Sequence, residues 1–198
     1  DARYIPVRFP HSFDRIQGLV LLYPDAVVLD HLRADLAGGT VAVHGRLDLA
    51  AADKPLSYRA QIATRRTAVR YPEGWLVRGD GDLTLQSTPE GRQLSGALTL
   101  DRVYYLRDIN LSPRQLAERV LSRTRVQIDE ADELLGTTYL NISVLAPRAV
   151  RVRNNLANFT GSANLAVRGS LANPVLFGEV TTDPGGTIDY SGSTYTLD

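Results

Sequence analysis

GDGDLTLQSTPEGRQLSGALTL, Gly79 to Leu100, and GSANLAVRGSLANPVLFGEVTT, Gly161 to Thr182, are one pattern written twice. They align without a gap. Gly79 falls on Gly161, Leu83 on Leu165, Leu85 on Val167, Leu94 on Leu176, Gly96 on Gly178 and Leu98 on Val180. Each copy reads as an alternating strand, a polar turn and a second alternating strand, which is a β-hairpin. One hairpin cannot bury its apolar side alone, so a repeated hairpin predicts a sheet that grows by addition of such units.

The same period of two runs outward from these copies. Val41, Val43, Leu47 and Leu49 share one face of the segment Thr40–Leu49, with Thr40, Ala42, His44, Arg46 and Asp48 on the other. Leu140, Ile142 and Val144 alternate likewise, as do Val150 and Val152 against Arg151 and Arg153. Gly38-Gly39, Pro89-Glu90-Gly91, Asn173-Pro174 and Asp183-Pro184-Gly185-Gly186 punctuate the strands as turns. A sheet with one apolar and one polar face has a dry side that must be covered or curled inward.

One segment departs from this period. Ser112-Pro113-Arg114-Gln115 supplies a capping residue, a proline at the first helical position and a capping-box glutamine. With Leu116, Val120 and Leu121 at helical spacing, this predicts a short helix over Pro113–Arg123, followed by an acidic loop at Asp129–Glu133. The chain is thus expected to divide into a first sheet half (1–111), a helix-and-acid insert (112–138) and a second sheet half (139–198) continuous with the first. Its ends read as those of a segment cut from a longer protein.

The 198 residues are 43% hydrophobic and 22% charged, a globular composition. Twenty-two basic and 22 acidic side chains cancel, which argues against a dedicated nucleic-acid binder. Zero cysteines exclude disulfides and thiolate metal sites. No apolar run approaches the length of a membrane span.

Nothing points to catalysis, and no cofactor or metal is expected. His11, His31 and His44 are far apart in the sequence and read as surface or satisfied side chains. No nucleophile elbow, zinc-binding helix motif or phosphate-cradling glycine loop occurs. The acidic run lacks the ligand spacing of a calcium loop. Arg148, Arg151 and Arg153 form a stripe whose ordinary reading is a solvated outer face, with contact to lipid phosphates as the alternative.

VRVRNNLANFTGSANLAVRGSLANPVLFGEVTTDPGGTIDYSGSTYTL, Val150 to Leu197, resembles the C-terminal region of the TamB family of AsmA-like bacterial envelope proteins. Asn154-Asn155, Gly169, Pro174, Leu176, Gly178, Val180, Gly185-Gly186 and Tyr195 carry the likeness. FDRIQGLVLLYPDAVVLDHLRADLAGGTVAVHGRLDL and RYPEGWLVRGDGDLTLQ fit it more loosely.

The resemblance implies an all-β fold: a long, curved, antiparallel or mixed sheet closed into a U, the β-taco, with an aliphatic inner groove and, here, one short helix. A closed sandwich or barrel is the alternative, and is what the residues alone would favour. The resemblance further implies a periplasmic segment of a protein anchored in the inner membrane, acting as a conduit for phospholipid between the two membranes. An assembly factor for outer-membrane proteins and autotransporters, working with an Omp85-type barrel, is the second reading. A plain structural sandwich is the third. Partner and membrane contacts are expected through regions outside this segment.

The residues expected to line a groove for acyl chains are Val41, Val43, Leu83, Leu85, Leu94, Leu98, Leu140, Ile142, Val144, Val150, Val152, Leu165, Val167, Leu176 and Val180.

Overall fold

Alternating segments become strands, and the strands become one sheet. The computed structural model describes residues 2–6, 10–50, 56–70, 74–107, 137–190 and 193–198. In chain order the strands are β1 (Ala2–Tyr4), β2 (Phe13–Leu22), β3 (Ala26–Leu36), β4 (Gly39–Asp48), β5 (Ser57–Val69) and β6 (Trp75–Thr88). They continue as β7 (Gly91–Tyr105), β8 (Thr138–Arg153), β9 (Ala157–Gly169), β10 (Pro174–Thr182), β11 (Thr187–Tyr190) and β12 (Ser193–Thr196). Neighbours in sequence are neighbours in space from β1 to β9. β10 and β11 then share the far edge of β9, and β12 pairs with β11.

The sheet is open and curved, neither a barrel nor a sandwich, and its form fits a β-taco. No helix occurs among the described residues. The helix expected over Pro113–Arg123 and the acidic run Asp129–Glu133 lie outside them.

Tight turns join the early strands. Ala37 and Gly38 both have positive φ, 47° and 80°, between paired Leu36 and Gly39. Two such residues give the two-residue loop whose twist matches its flanking strands. Every named pairing is antiparallel except one: β7 and β8 run parallel, with Leu94 opposite Leu140 and Leu98 opposite Val144. A parallel step needs a long crossover, and residues 108–136 stand at that point of the chain.

Bulges bend the strands. Thr64 pairs with Gly81 and Thr67 with Gly79, so β5 carries one extra residue there. Arg66 has φ 53°, and its N–H donates to Asp80 Oδ1 at 2.7 Å. In β8, Ala146 pairs with Ala163 and Val150 with Gly161. Arg148 sits between with φ 49°, its N–H on Ser162 Oγ at 2.8 Å. A bulge withdraws a backbone amide from the ladder and sharpens local bend. In each of these two, a side-chain oxygen on the next strand accepts from the withdrawn amide, which removes the cost of leaving it unpaired.

The two hairpins seen in the sequence have one register. Gly79 pairs with Leu100, Leu83 with Gly96 and Leu85 with Leu94. Gly161 pairs with Thr182, Leu165 with Gly178 and Val167 with Leu176. The repeat is therefore structural.

Candidate functional site: an aliphatic groove

Register partners in a sheet point their side chains to the same face, so the pairings locate the groove. Leu32, Val43, Ile62, Leu83, Gly96, Ile142, Val167 and Leu176 are successive partners from β3 to β10. A second row runs Leu29, Gly45, Ala60, Leu85, Leu94, Leu140 from β3 to β8. A third holds Val41, Leu98, Val144 and Leu165, with Thr64, Gly81 and Gly178 between and beyond them. Val180 follows opposite Ala163, Val150 opposite Val103, and Val152 opposite Tyr105 and Phe159. Every aliphatic residue named from the sequence thus lies on one face. Leu32 and Ile62, on the same face, were missed; Ile62 alternates with Ala60 and Thr64, a pattern the sequence displays.

This face is the concave one. Leu140 is 7% exposed and Ile142 8%, although no second layer covers them among the described residues. Only inward curvature brings enough neighbours over a residue at the centre of a single sheet. Toward the end of the sheet the cover fails, and Leu176 is 63% exposed and Val180 51%. The remaining members are half-buried apart from Val41, which is buried. Among the described residues no large side chain is fully buried. A closed core would contain several, so the arrangement is a trough.

Two buried clusters brace it. Ala34, Leu36 and Val41 form one, with Phe13, Ile16, Val43 and Ile62 packed around them. Val103, Ala146, Ala149 and Ala163 form the other, against Leu100, Val150 and Leu165. Near the first, Tyr4, Phe13, Ile16, Leu32, Val41 and Val43 line a cavity of 330 Å³ that opens into the trough. Its aromatic members come from β1 and β2, whose short or irregular alternation hid them from the sequence reading.

The opposite face is polar. Arg65 Nη2 meets Asp82 Oδ1 at 2.8 Å, and Arg46 Nε meets Asp48 Oδ1 at 2.5 Å. Arg78 grips Asp101 with two parallel contacts, Nε to Oδ1 at 2.8 Å and Nη2 to Oδ2 at 2.7 Å. Those hydrogen bonds hold the Asp101 carboxyl below its ordinary pKa of 3.8, against a smaller opposing effect of desolvation. Arg15 pairs with Asp35 across β2 and β3.

The histidines do not converge. His11 Nε2 accepts from the Arg70 backbone N–H at 2.9 Å, His31 sits beside Asp30 at a bulge in β3, and His44 is exposed on the polar face. Among the described residues no group of His, Asp or Glu is placed to hold a metal ion. Nor is any helix among them long and apolar enough to cross a membrane.

Among the described residues the concave face is a continuous, mainly hydrocarbon surface, open along one side. Residues 30–198 match the family described as the TamB C-terminal domain. No curated protein and no solved structure matches the chain.

Proposed function

Since the chain belongs to the TamB family, a family of cell-envelope proteins, we propose that its trough is a hydrophobic conduit carrying phospholipid acyl chains across the periplasm. The observation that carries this reading is the unbroken row from Leu32 to Leu176, apolar or glycine at every strand it crosses. Each methylene that leaves water gains about 0.8 kcal/mol. A chain sliding along a continuous apolar row stays buried throughout, so no single step carries the whole cost of re-exposure. Side chains that are aliphatic and free of directional bonds favour movement over capture.

In this reading the protein is anchored in the inner membrane by regions outside this segment, and the trough is one stretch of a longer path. Mass spectrometry of organic extracts from the purified chain tests it. Co-purifying phospholipid, lost on Leu85→Asp, supports the conduit, whereas lipid-free protein that also takes up none from vesicles overturns it.

A second reading has its own observation. Among the described residues β10 pairs only with β9, and no strand covers its other edge, which is flanked by exposed Val175, Leu176, Phe177 and Val180. An open apolar edge accepts an added strand, which suits a factor that holds unfolded outer-membrane proteins for a partner barrel. Cross-linking from positions 176 and 180 to client strands, with no lipid bound, would favour it.

A further inference from the structure

The two copies of the hairpin differ in what lies beside their second strand. β7 has β8 along its outer edge, running parallel, with Leu94 opposite Leu140, Gly96 opposite Ile142 and Leu98 opposite Val144. β10 is the counterpart of β7, and among the described residues no strand covers its outer edge. β12 stops short of that edge, because Leu197 bonds to Gly185 and Gly186, beyond the end of β10 at Thr182. Exposure records the missing neighbour. Leu94 and Leu98 are half-buried, whereas Leu176 and Val180, which align with them, are 63% and 51% exposed.

The backbone of β10 is set for a neighbour as that of β7 is. Arg92 turns its N–H toward the start of β8, donating to Thr137 O at 2.9 Å. In β10 the bond from Asp183 N–H to Thr160 O, 2.8 Å, fixes the alternation, so Leu176, Gly178 and Val180 turn their backbone groups outward. One position differs. Pro174 aligns with Arg92 and has no N–H to give, so a ladder on this edge begins at Leu176. Gly96 brings no side chain to the concave face, and Ile142 beside it is 8% exposed. Gly178 leaves the same place for a branched aliphatic residue.

We infer that the outer edge of β10 takes a strand from another protein, parallel to β10 and alternating aliphatic with polar residues as β8 does. Its aliphatic side chains stand opposite Leu176, Gly178 and Val180 and extend the trough by one strand. The inference rests on the second reading above, that this edge holds unfolded strands, and adds to it a direction, a register and a sequence pattern. The first hairpin supplies all three, since it shows the same edge occupied. A second copy of the chain offers no such strand. Its β8 is paired on both sides, and β1 and β12 are three and four residues long. Its β10, joined about a two-fold axis with both apolar faces on one side, runs antiparallel.

The chain has no cysteine, so introduced cysteines report single contacts. The aligned register places Val175 where Gln93 meets Tyr139, and Thr181 where Thr99 meets Leu145. The intact 198-residue chain carrying Val175→Cys or Thr181→Cys is mixed, under mild oxidation, with a peptide of residues 138–146 carrying Tyr139→Cys or Leu145→Cys. The expected disulfides join 139 to 175 and 145 to 181. A peptide that exchanges Leu140 with Asn141 and Ile142 with Ser143 should bind about tenfold more weakly, because its aliphatic side chains turn to the polar face. Leu176→Lys/Val180→Lys in the chain should abolish both disulfides. Crossed disulfides, 139 to 181 and 145 to 175, would show antiparallel addition and overturn the inference while leaving the second reading intact. Equal affinity for the exchanged peptide would overturn the sequence pattern. If no peptide binds, the second reading fails and the inference with it. A second copy of the chain that keeps the edge against excess peptide would overturn the assignment to another protein.

Discussion

Gly178 stands in the second hairpin where Gly96 stands in the first. Gly96 faces Leu83 with φ 140°, and Gly178 faces Leu165 with φ 128°. A Cβ at Gly96 would fall 2.1 Å from the backbone oxygen of Asp82, and one at Gly178 2.2 Å from that of Asn164. Asp82 and Asn164 are themselves aligned in the two copies. The repeat therefore preserves a backbone conformation together with its apolar spacing, and the conformation admits only glycine.

Substitution at the two glycines should destabilise by the same mechanism and to different extents. Gly96→Ala places a methyl against backbone in a strand paired on both sides, and a loss of about 1–3 kcal/mol or more is expected. Gly178→Ala lies on β10, paired on one side among the described strands, where the strand can shift away. Urea titrations of both variants should show the larger fall in midpoint for Gly96→Ala. The reverse order would mean that β10 is held more firmly than one neighbour can hold it.

Charge in the trough should be tolerated where water reaches. Leu85 and Val167 are half-buried on an open face. Leu85→Asp and Val167→Asp should leave a cooperative melt, shifted by a few degrees, and abolish lipid uptake. Ile142→Asp, at a position 8% exposed, buries an unpaired carboxylate and should cost about 3 kcal/mol or more. Equal melting losses at all three sites would contradict an open trough.

Asp101 provides a pH test with a defined sign. Its folded pKa is depressed, chiefly by hydrogen bonds from Arg78. Its contribution to stability is therefore full above the ordinary carboxylate range, and is lost as pH falls from about 3.8 through the lower folded value. The pair is solvent-exposed, so the effect on stability is small. Carboxyl chemical shifts should place the Asp101 midpoint below those of unpaired aspartates, and Arg78→Ala should return it to the ordinary range. An unchanged midpoint in that variant would assign the depression to another neighbour.

The edge of β10 that no described strand covers should make this 198-residue chain self-associate. Asp183 donates its N–H to Thr160 O at 2.8 Å. By the alternation of an antiparallel ladder, the backbone groups of Leu176, Gly178 and Val180 then turn toward the open edge. Lysine at an edge discourages strand pairing. Leu176→Lys/Val180→Lys should lower the sedimentation-average mass at high concentration without lowering the melting temperature by more than a few degrees. Association unaffected by these changes would place the contact elsewhere.

Much of the fold was legible because it is periodic. Leu83, Leu85, Leu94 and Leu98 announce their face by alternation, and the second copy repeats the announcement. The bulges were not legible. Arg66 and Arg148 adopt positive φ without being glycine or asparagine, and what permits this is a side-chain oxygen on a different strand, distant in sequence. Openness was equally hidden. The same alternation serves a sandwich or a trough, and the choice depends on whether a second layer exists. The meeting of Trp75 and Tyr105 was hidden as well, because only the register of β6 and β7 brings the two rings together.

The parallel joint between β7 and β8 has a consequence for polarity. In a meander that reversed at every step, one intervening strand would turn the second hairpin upside down relative to the first. Because β8 runs with β7, β9 points the same way as β6, and the second hairpin is reached by sliding along the sheet without a flip. Both hairpins present their glycine-rich starts, Gly79 and Gly161, to the same bank. An inverted copy would have sent Phe159 to the bank opposite Trp75 and divided the aromatics between two shores. One parallel step among antiparallel neighbours thus gives the sheet a polarity, with the same bank repeated at each hairpin unit.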